Sequence, residues 1–110
     1  VATTNLASSH YKQLADLIDK ARIVESLDYL ATITDPSFGS VGVTRLAYSD
    51  TDIKGKNYIA KLMAEAGLKV RVSPIGNTFG RLQGPNCDDQ VVLTGSHTDS
   101  VINGGHFECH

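Results

Sequence analysis

The chain of 110 residues has no tryptophan, one methionine, three prolines and two cysteines. Cys87 lies in a polar stretch and Cys109 next to the last residue, so they do not make a disulfide scaffold. A reducing, cytoplasmic setting is therefore the expectation. Net charge is also lacking: ten basic and twelve acidic residues leave −2. Both signs are scattered, which removes any electrostatic reason to expect nucleic acid or an anionic membrane as partner. No apolar run approaches the roughly 20 residues needed to cross a bilayer. No Gly-x-Ser-x-Gly, phosphate-binding glycine loop or Cys-x-x-Cys occurs. Residues 1–9 are small and polar and read as a flexible N-terminus without the pattern of a signal peptide. The sequence opens on Val1 rather than methionine, so a preceding residue or segment is expected to be missing.

What is present is a normal globular composition, 41% hydrophobic, of a size that suits one domain or part of one with a modest core. Leu14, Leu17, Ile18, Ala21, Val24, Leu27, Leu30 and Ala31 recur at three- and four-residue steps, which predicts a helix from His10 to Thr34. Asp35-Pro36-Ser37-Phe38-Gly39-Ser40 ends it, and Val41 to Tyr48 is a connector, partly extended. Ser49, with Asp52 three residues on, predicts a capped helix start. Ile59, Leu62, Met63 and Ala66 face inward, and Gly67 supplies the stop. The period then changes to two. Leu68, Val70 and Val72 alternate with Lys69, Arg71 and Ser73, which predicts a half-buried strand. A turn at Pro74-Ile75-Gly76-Asn77 leads to a second, hairpin-paired strand over Thr78 to Gln83. After a polar loop, Gln90 to Thr94 reads as a short apolar strand buried on both faces. The fold class is α/β: two N-terminal helices and three strands of a mixed sheet.

The chemistry gathers behind that last strand. Gly95-Ser96-His97-Thr98-Asp99-Ser100 puts an imidazole and a carboxylate two residues apart where a strand runs out into a loop, the place where α/β folds carry their sites. Extended backbone directs His97 and Asp99 to one side and Thr98 to the other. A metal-ligating histidine needs an acceptor on its second nitrogen, often a carboxylate. The same pair also suits a solvated histidine beside a loop-capping aspartate, and spacing alone leaves both open. Asn103-Gly104-Gly105 permits positive φ and close backbone approach around a site, or an ordinary turn. Glu108, beyond it, can return a carboxylate to the same ion or stay a surface charge. His106, Cys109 and His110 form a separate candidate zinc set. Lys54, Lys56 and Lys61 read as a solvated face, Arg45 as a salt-bridge residue or carboxylate clamp, and Tyr48 and Phe79 as core or boundary residues.

Together the segments resemble a known family. Gly42-Val43-Thr44-Arg45-Leu46-Ala47-Tyr48-Ser49 is similar to the opening segment of the amidase/hydantoinase/carbamoylase branch of the dinuclear-metal aminoacylase and carboxypeptidase family. The branch includes N-carbamoyl-L-amino-acid hydrolases, allantoate and ureidoglycolate amidohydrolases and β-ureidopropionases. The likeness continues through Met63–Val72, Ile75–Gly84, Leu93–Val101 and Asn103-Gly104-Gly105, in the family's order, over roughly residues 25–108. It implies that residues 10–110 are the N-terminal portion of a three-layer metallohydrolase catalytic domain. It implies His97 as ligand to one of two divalent ions (zinc, manganese, nickel or cobalt), with Asp99 orienting it. Glu108 aligns with the family's bridging aspartate. The implied reaction is hydrolysis of a linear C–N bond in a small ureido or N-carbamoyl substrate, with a glutamate further along taking the proton. The complete enzyme would be a homodimer.

Two residues depart from the family pattern. Glu108 is one methylene longer than the usual aspartate, and Cys109 stands where a glycine makes a tight turn, which puts the second metal position in doubt. The catalytic glutamate, the remaining ligands and the dimerisation and lid domain would lie downstream. Two rival expectations stand beside the enzyme: a non-catalytic truncated module that associates with another polypeptide through an open sheet edge, and a metal-binding protein that uses the His/Cys tail.

Overall fold

The computed structural model describes residues 10–85 and 91–107. The expected flexible stretch 1–9, Cys87, Glu108, Cys109 and His110 lie outside the described residues. The expected single helix over His10–Thr34 is two helical segments: α1 at residues 10–15 and α2 at Lys20–Thr32. The break falls at Asp19, whose carboxylate accepts the Arg22 amide at 3.0 Å as N-cap of α2. Such a side chain offers the backbone a local partner that competes with helix continuation. Leu14, Leu17 and Ile18 beside the break are exposed, so burial does not hold the two pieces in line.

Past α2, Asp35 caps a single 3-10 turn, Pro36–Phe38, and accepts the Ser37 amide at 2.9 Å. That hydrogen bond holds the Asp35 carboxyl below its ordinary pKa. The connector then bends through residues 40–42 into Val43. Val43 pairs antiparallel with Gly104, its amide donating to the Gly104 carbonyl at 2.9 Å and its carbonyl accepting the Gly104 amide at 2.8 Å. Gly42 makes this approach possible. Its φ is +72°, and a Cβ there would stand 2.5 Å from the Gly104 carbonyl oxygen.

Helix α3 spans Asp50–Glu65, with Ser49 as N-cap accepting the Asp52 amide at 3.2 Å and Gly67 at φ +82° after its end, as the capping pattern predicts. Asp52 differs in detail from the expected capping box. Its carboxylate reaches back one residue further, to the Tyr48 amide at 2.9 Å, and takes Lys56 Nζ at 2.7 Å. Asp52 is fully buried and Lys56 half-buried, so Lys56 is not part of a solvated face. Tyr48, expected in the core or at its boundary, is 78% exposed, its ring under the Lys56 ammonium at 5.5 Å.

The alternating stretch forms the expected hairpin, but Lys69–Val72 is exposed along its length rather than half-buried. Strand β1 (Lys69–Val72) pairs antiparallel with β2 (Thr78–Arg81) in the register Lys69↔Arg81, Val70↔Gly80, Arg71↔Phe79, Val72↔Thr78. The turn is pinned by the Asn77 amide donating to Ser73 Oγ at 3.1 Å and the Ser73 amide donating to the Asn77 carbonyl at 2.9 Å. Helix α3 packs on both strands. The architecture is therefore mixed α and β, with a two-stranded antiparallel sheet among the described residues.

The expected third strand is not formed in the described residues 91–94. A strand apolar on both faces needs neighbours on both, and Val91, Val92 and Leu93 stand 71%, 97% and 79% exposed. The expected apolar core is likewise reduced. Among the described residues Val43 is the one buried hydrophobic side chain, and the interior beside it is polar: Thr44, Arg45, Asp52 and Ser100. No described helix is long and apolar enough to cross a membrane.

Candidate functional site

The polar interior is a node that joins three parts of the chain: the end of α2, the 43–45 connector and the 96–105 segment. Thr44 receives the Asn103 amide on Oγ1 at 2.9 Å, gives its own amide to Thr34 Oγ1 at 2.8 Å and accepts the Asp35 amide on its carbonyl at 2.8 Å. Ser100 Oγ accepts the Arg45 amide at 2.9 Å and donates to the Val43 carbonyl at 2.9 Å. In return the Ser100 amide donates to the Arg45 carbonyl at 2.8 Å. Buried backbone polar groups need partners, and here threonine and serine hydroxyls supply what a wider sheet would.

Arg45 fills the middle. Its Nη1 donates to the carbonyls of Leu30 at 2.8 Å and Ile33 at 2.7 Å, and its Nε donates to the Thr98 carbonyl at 2.6 Å. The first two acceptors belong to the carbonyl-rich end of α2, where a cation is favoured by the helix dipole. Burial lowers the Arg45 pKa, and the nearby charges of Asp52 and Asp99 oppose that shift. Arg45 therefore works as neither a simple salt bridge nor a free clamp. It passes α3 at Gly55, where an added Cβ would meet Arg45 Cδ at 2.9 Å. A glycine in mid-helix is otherwise unfavourable, and this close passage accounts for it.

On this support sit His97 and Asp99. His97 Nδ1 lies 3.0 Å from the Asp99 backbone oxygen and 3.3 Å from Asp99 Oδ1. The expected pairing is present, with both side chains partly exposed. A carbonyl oxygen can only accept, so in the neutral imidazole Nδ1 carries the hydrogen and Nε2 the lone pair. That is the state in which a histidine binds a metal ion through Nε2. Ser96, His97, Asp99, Gly105 and His106 line a cleft of about 270 Å³ whose other wall includes Leu27 and Leu30 of α2. His106 Nε2 lies 3.0 Å from Oδ1 of Asp28 on α2. Nothing in periodicity or spacing points to Asp28, and Arg45 reads from the sequence as a salt-bridge residue or carboxylate clamp rather than as a support for the His97–Asp99 pair. A mid-helix glycine at position 55 was the one available sign that a bulky side chain passes there.

Among the described residues no three His, Cys, Asp or Glu side chains converge as a metal site. Glu108, the other expected ligand, lies outside the described residues, as do Cys109 and His110 of the alternative zinc set. Among the described residues the donor set is a single imidazole, His97, whose Nδ1 lies beside two acceptor oxygens of Asp99.

No family model matches the chain. No solved structure matches it either. Curated relatives do. Over 87 residues it is 40% identical to an allantoate amidohydrolase of Escherichia coli (strain K12), covering 78% of this chain and 20% of the relative. Over 69 residues it is 49% identical to an N-carbamoyl-L-amino acid amidohydrolase of Geobacillus stearothermophilus, covering 63% of this chain and 17% of the relative. Over 91 residues it is 35% identical to a ureidoglycolate hydrolase of Oryza sativa subsp. japonica, covering 83% and 18%. The chain thus spans about a fifth of the length of the curated relatives it matches. Homologues with these names fit the family that the motifs resemble.

Proposed function

We propose, from the premise that the chain is homologous to part of the allantoate and N-carbamoyl-L-amino acid amidohydrolases, that it is the metal-ligand-bearing N-terminal part of a hydrolase acting on linear C–N bonds of ureido or N-carbamoyl compounds. The observation that carries the proposal is the His97–Asp99 pair. It lies within a segment that resembles this family, and acceptors at Nδ1 support a reading in which Nε2 takes a metal ion. His97 would hold one divalent ion through Nε2, and Glu108 would supply a carboxylate to the pair of ions. When bound, the ions supply Lewis-acid activation of water and of the ureido carbonyl. Asp99 holds the His97 ring and raises its basicity, and Ser100 and Arg45 hold the backbone on which both stand. Zinc, manganese, nickel and cobalt all suit a mixed imidazole and carboxylate set.

In this proposal residues 91–94 become the third strand of a mixed sheet in the three-layer catalytic domain, which would cover Val91, Val92 and Leu93. The partner is a small ureido or carbamoyl substrate, not nucleic acid or a membrane. The whole enzyme is a cytoplasmic homodimer. The test is ammonia release from allantoate and from an N-carbamoyl-L-amino acid by the protein at its natural length, with and without added Zn²⁺ or Mn²⁺. Metal-dependent release from either compound supports the proposal, and none from both with metal bound refutes it.

A further inference from the structure

We infer that Arg45 is a positioning residue for His97, acting through the two peptide planes that flank Asp99. The inference rests on His97 being a metal ligand, but its geometry stands separately. The peptide between Thr98 and Asp99 is anchored by its carbonyl, which accepts Arg45 Nε at 2.6 Å. The next peptide, between Asp99 and Ser100, is anchored by its amide, which donates to the Arg45 carbonyl at 2.8 Å. Trans peptide geometry sends the carbonyl opposite to the amide. Fixing the Ser100 amide toward Arg45 therefore sends the Asp99 carbonyl the other way, and it is this oxygen that meets His97 Nδ1 at 3.0 Å. With both planes held, the Asp99 side chain leaves the backbone in one direction, and its Oδ1 comes within 3.3 Å of the same nitrogen.

Arg45 can do this because its guanidinium is itself tied at several points. Nη1 is tied to the Leu30 and Ile33 carbonyls, and the alkyl stem lies against Gly55 of α3. Ser100 completes the bracket by receiving the Arg45 amide on Oγ. One residue thus couples the end of α2 and the body of α3 to the tautomer of His97 through the backbone of residues 98–100. Lysine keeps the charge but offers one nitrogen. It cannot serve Thr98 and the α2 carbonyls together as the planar fork does.

The experiment compares wild type, Arg45→Lys, Ser100→Ala, His97→Ala and a control, Ser49→Ala, which weakens the cap of α3 away from the site. All are made in the protein at its natural length. Two readouts are taken: the ¹⁵N NMR tautomer of His97 at a pH where the ring is neutral, and Zn²⁺ affinity by calorimetry with Zn²⁺ alone. Arg45→Lys and Ser100→Ala are each expected to lower the Nδ1–H tautomer share and to weaken Zn²⁺ binding about tenfold, the lower end for residues that orient a ligand. Ser49→Ala is expected to move neither. A wild-type tautomer in both variants, or an equal change in Ser49→Ala, overturns the inference. If Arg45→Lys does not fold, Ser100→Ala decides. Unchanged Zn²⁺ binding in His97→Ala overturns the ligand assignment instead, and the tautomer readout still decides the role of Arg45.

Discussion

Replacing Gly55 with alanine should destabilise the protein, although in an ordinary helix interior the same change stabilises it. Helix propensity favours alanine over glycine by about 1 kcal/mol. Gly55 sits in the sixth position of α3, far enough inside for that gain to apply in full. Against it, the new Cβ would stand 2.9 Å from Arg45 Cδ, 3.2 Å from Arg45 Nε and 3.6 Å from Leu30 Cδ1. A free arginine stem would swing away at little cost. This one is pinned by hydrogen bonds to Leu30, Ile33 and Thr98. Either the stem shifts and weakens those bonds, or α3 moves back. Overpacking of this kind costs about 1–3 kcal/mol, so the net expectation is a loss of up to about 2 kcal/mol. Urea unfolding followed by circular dichroism reads it. The decisive arm is the double variant: with Arg45→Ala already in place, Gly55→Ala should become stabilising by about 1 kcal/mol. Stabilisation by Gly55→Ala in the wild-type background would refute the packing of Arg45 on α3, and with it the support on which His97 stands.

Ser49→Ala removes the side chain that accepts the Asp52 amide, and unfolding should show a loss of about 1 kcal/mol. Asp52→Ala leaves the half-buried Lys56 ammonium and the Tyr48 amide without this acceptor. It should cost more than Ser49→Ala in the same assay, by at least about 1 kcal/mol. The Asp35 carboxyl is held below its ordinary value by the Ser37 amide. Its contribution is therefore present above the unfolded-state value and lost as pH falls through the lowered folded value. NMR titration should place the Asp35 midpoint below that of a free aspartate, and Asp35→Asn should flatten that part of the stability profile. Asp28→Ala breaks an exposed pair with His106 and should change stability by less than about 1 kcal/mol.

Local signals in the sequence were read well where the chain satisfies itself locally. The Ser49 cap, the Gly67 stop and the hairpin from Val70 to Gly80 need only neighbouring residues, and all are present. Such signals do not suffice where a more distant or competing partner decides. Asp19 interrupts the long apolar pattern because its carboxylate finds the Arg22 amide, a choice that periodicity does not see. Residues 91–94 have the composition of a buried strand but remain exposed where described, because a strand is made by neighbours rather than by its own side chains. The contact between His97 and Asp99 is legible from their spacing. Arg45, Thr44 and Ser100 were not legible as a support, because their role depends on contacts across more than fifty residues of chain.

The central claim is that His97 binds a metal ion that a ureido-cleaving hydrolase requires. Its most direct test measures metal content and ammonia release from allantoate and N-carbamoyl-L-amino acids, for wild type and His97→Ala side by side at natural length. The account predicts metal-dependent release by the wild type, and loss of both bound metal and turnover in the variant. Undiminished turnover by His97→Ala would contradict it.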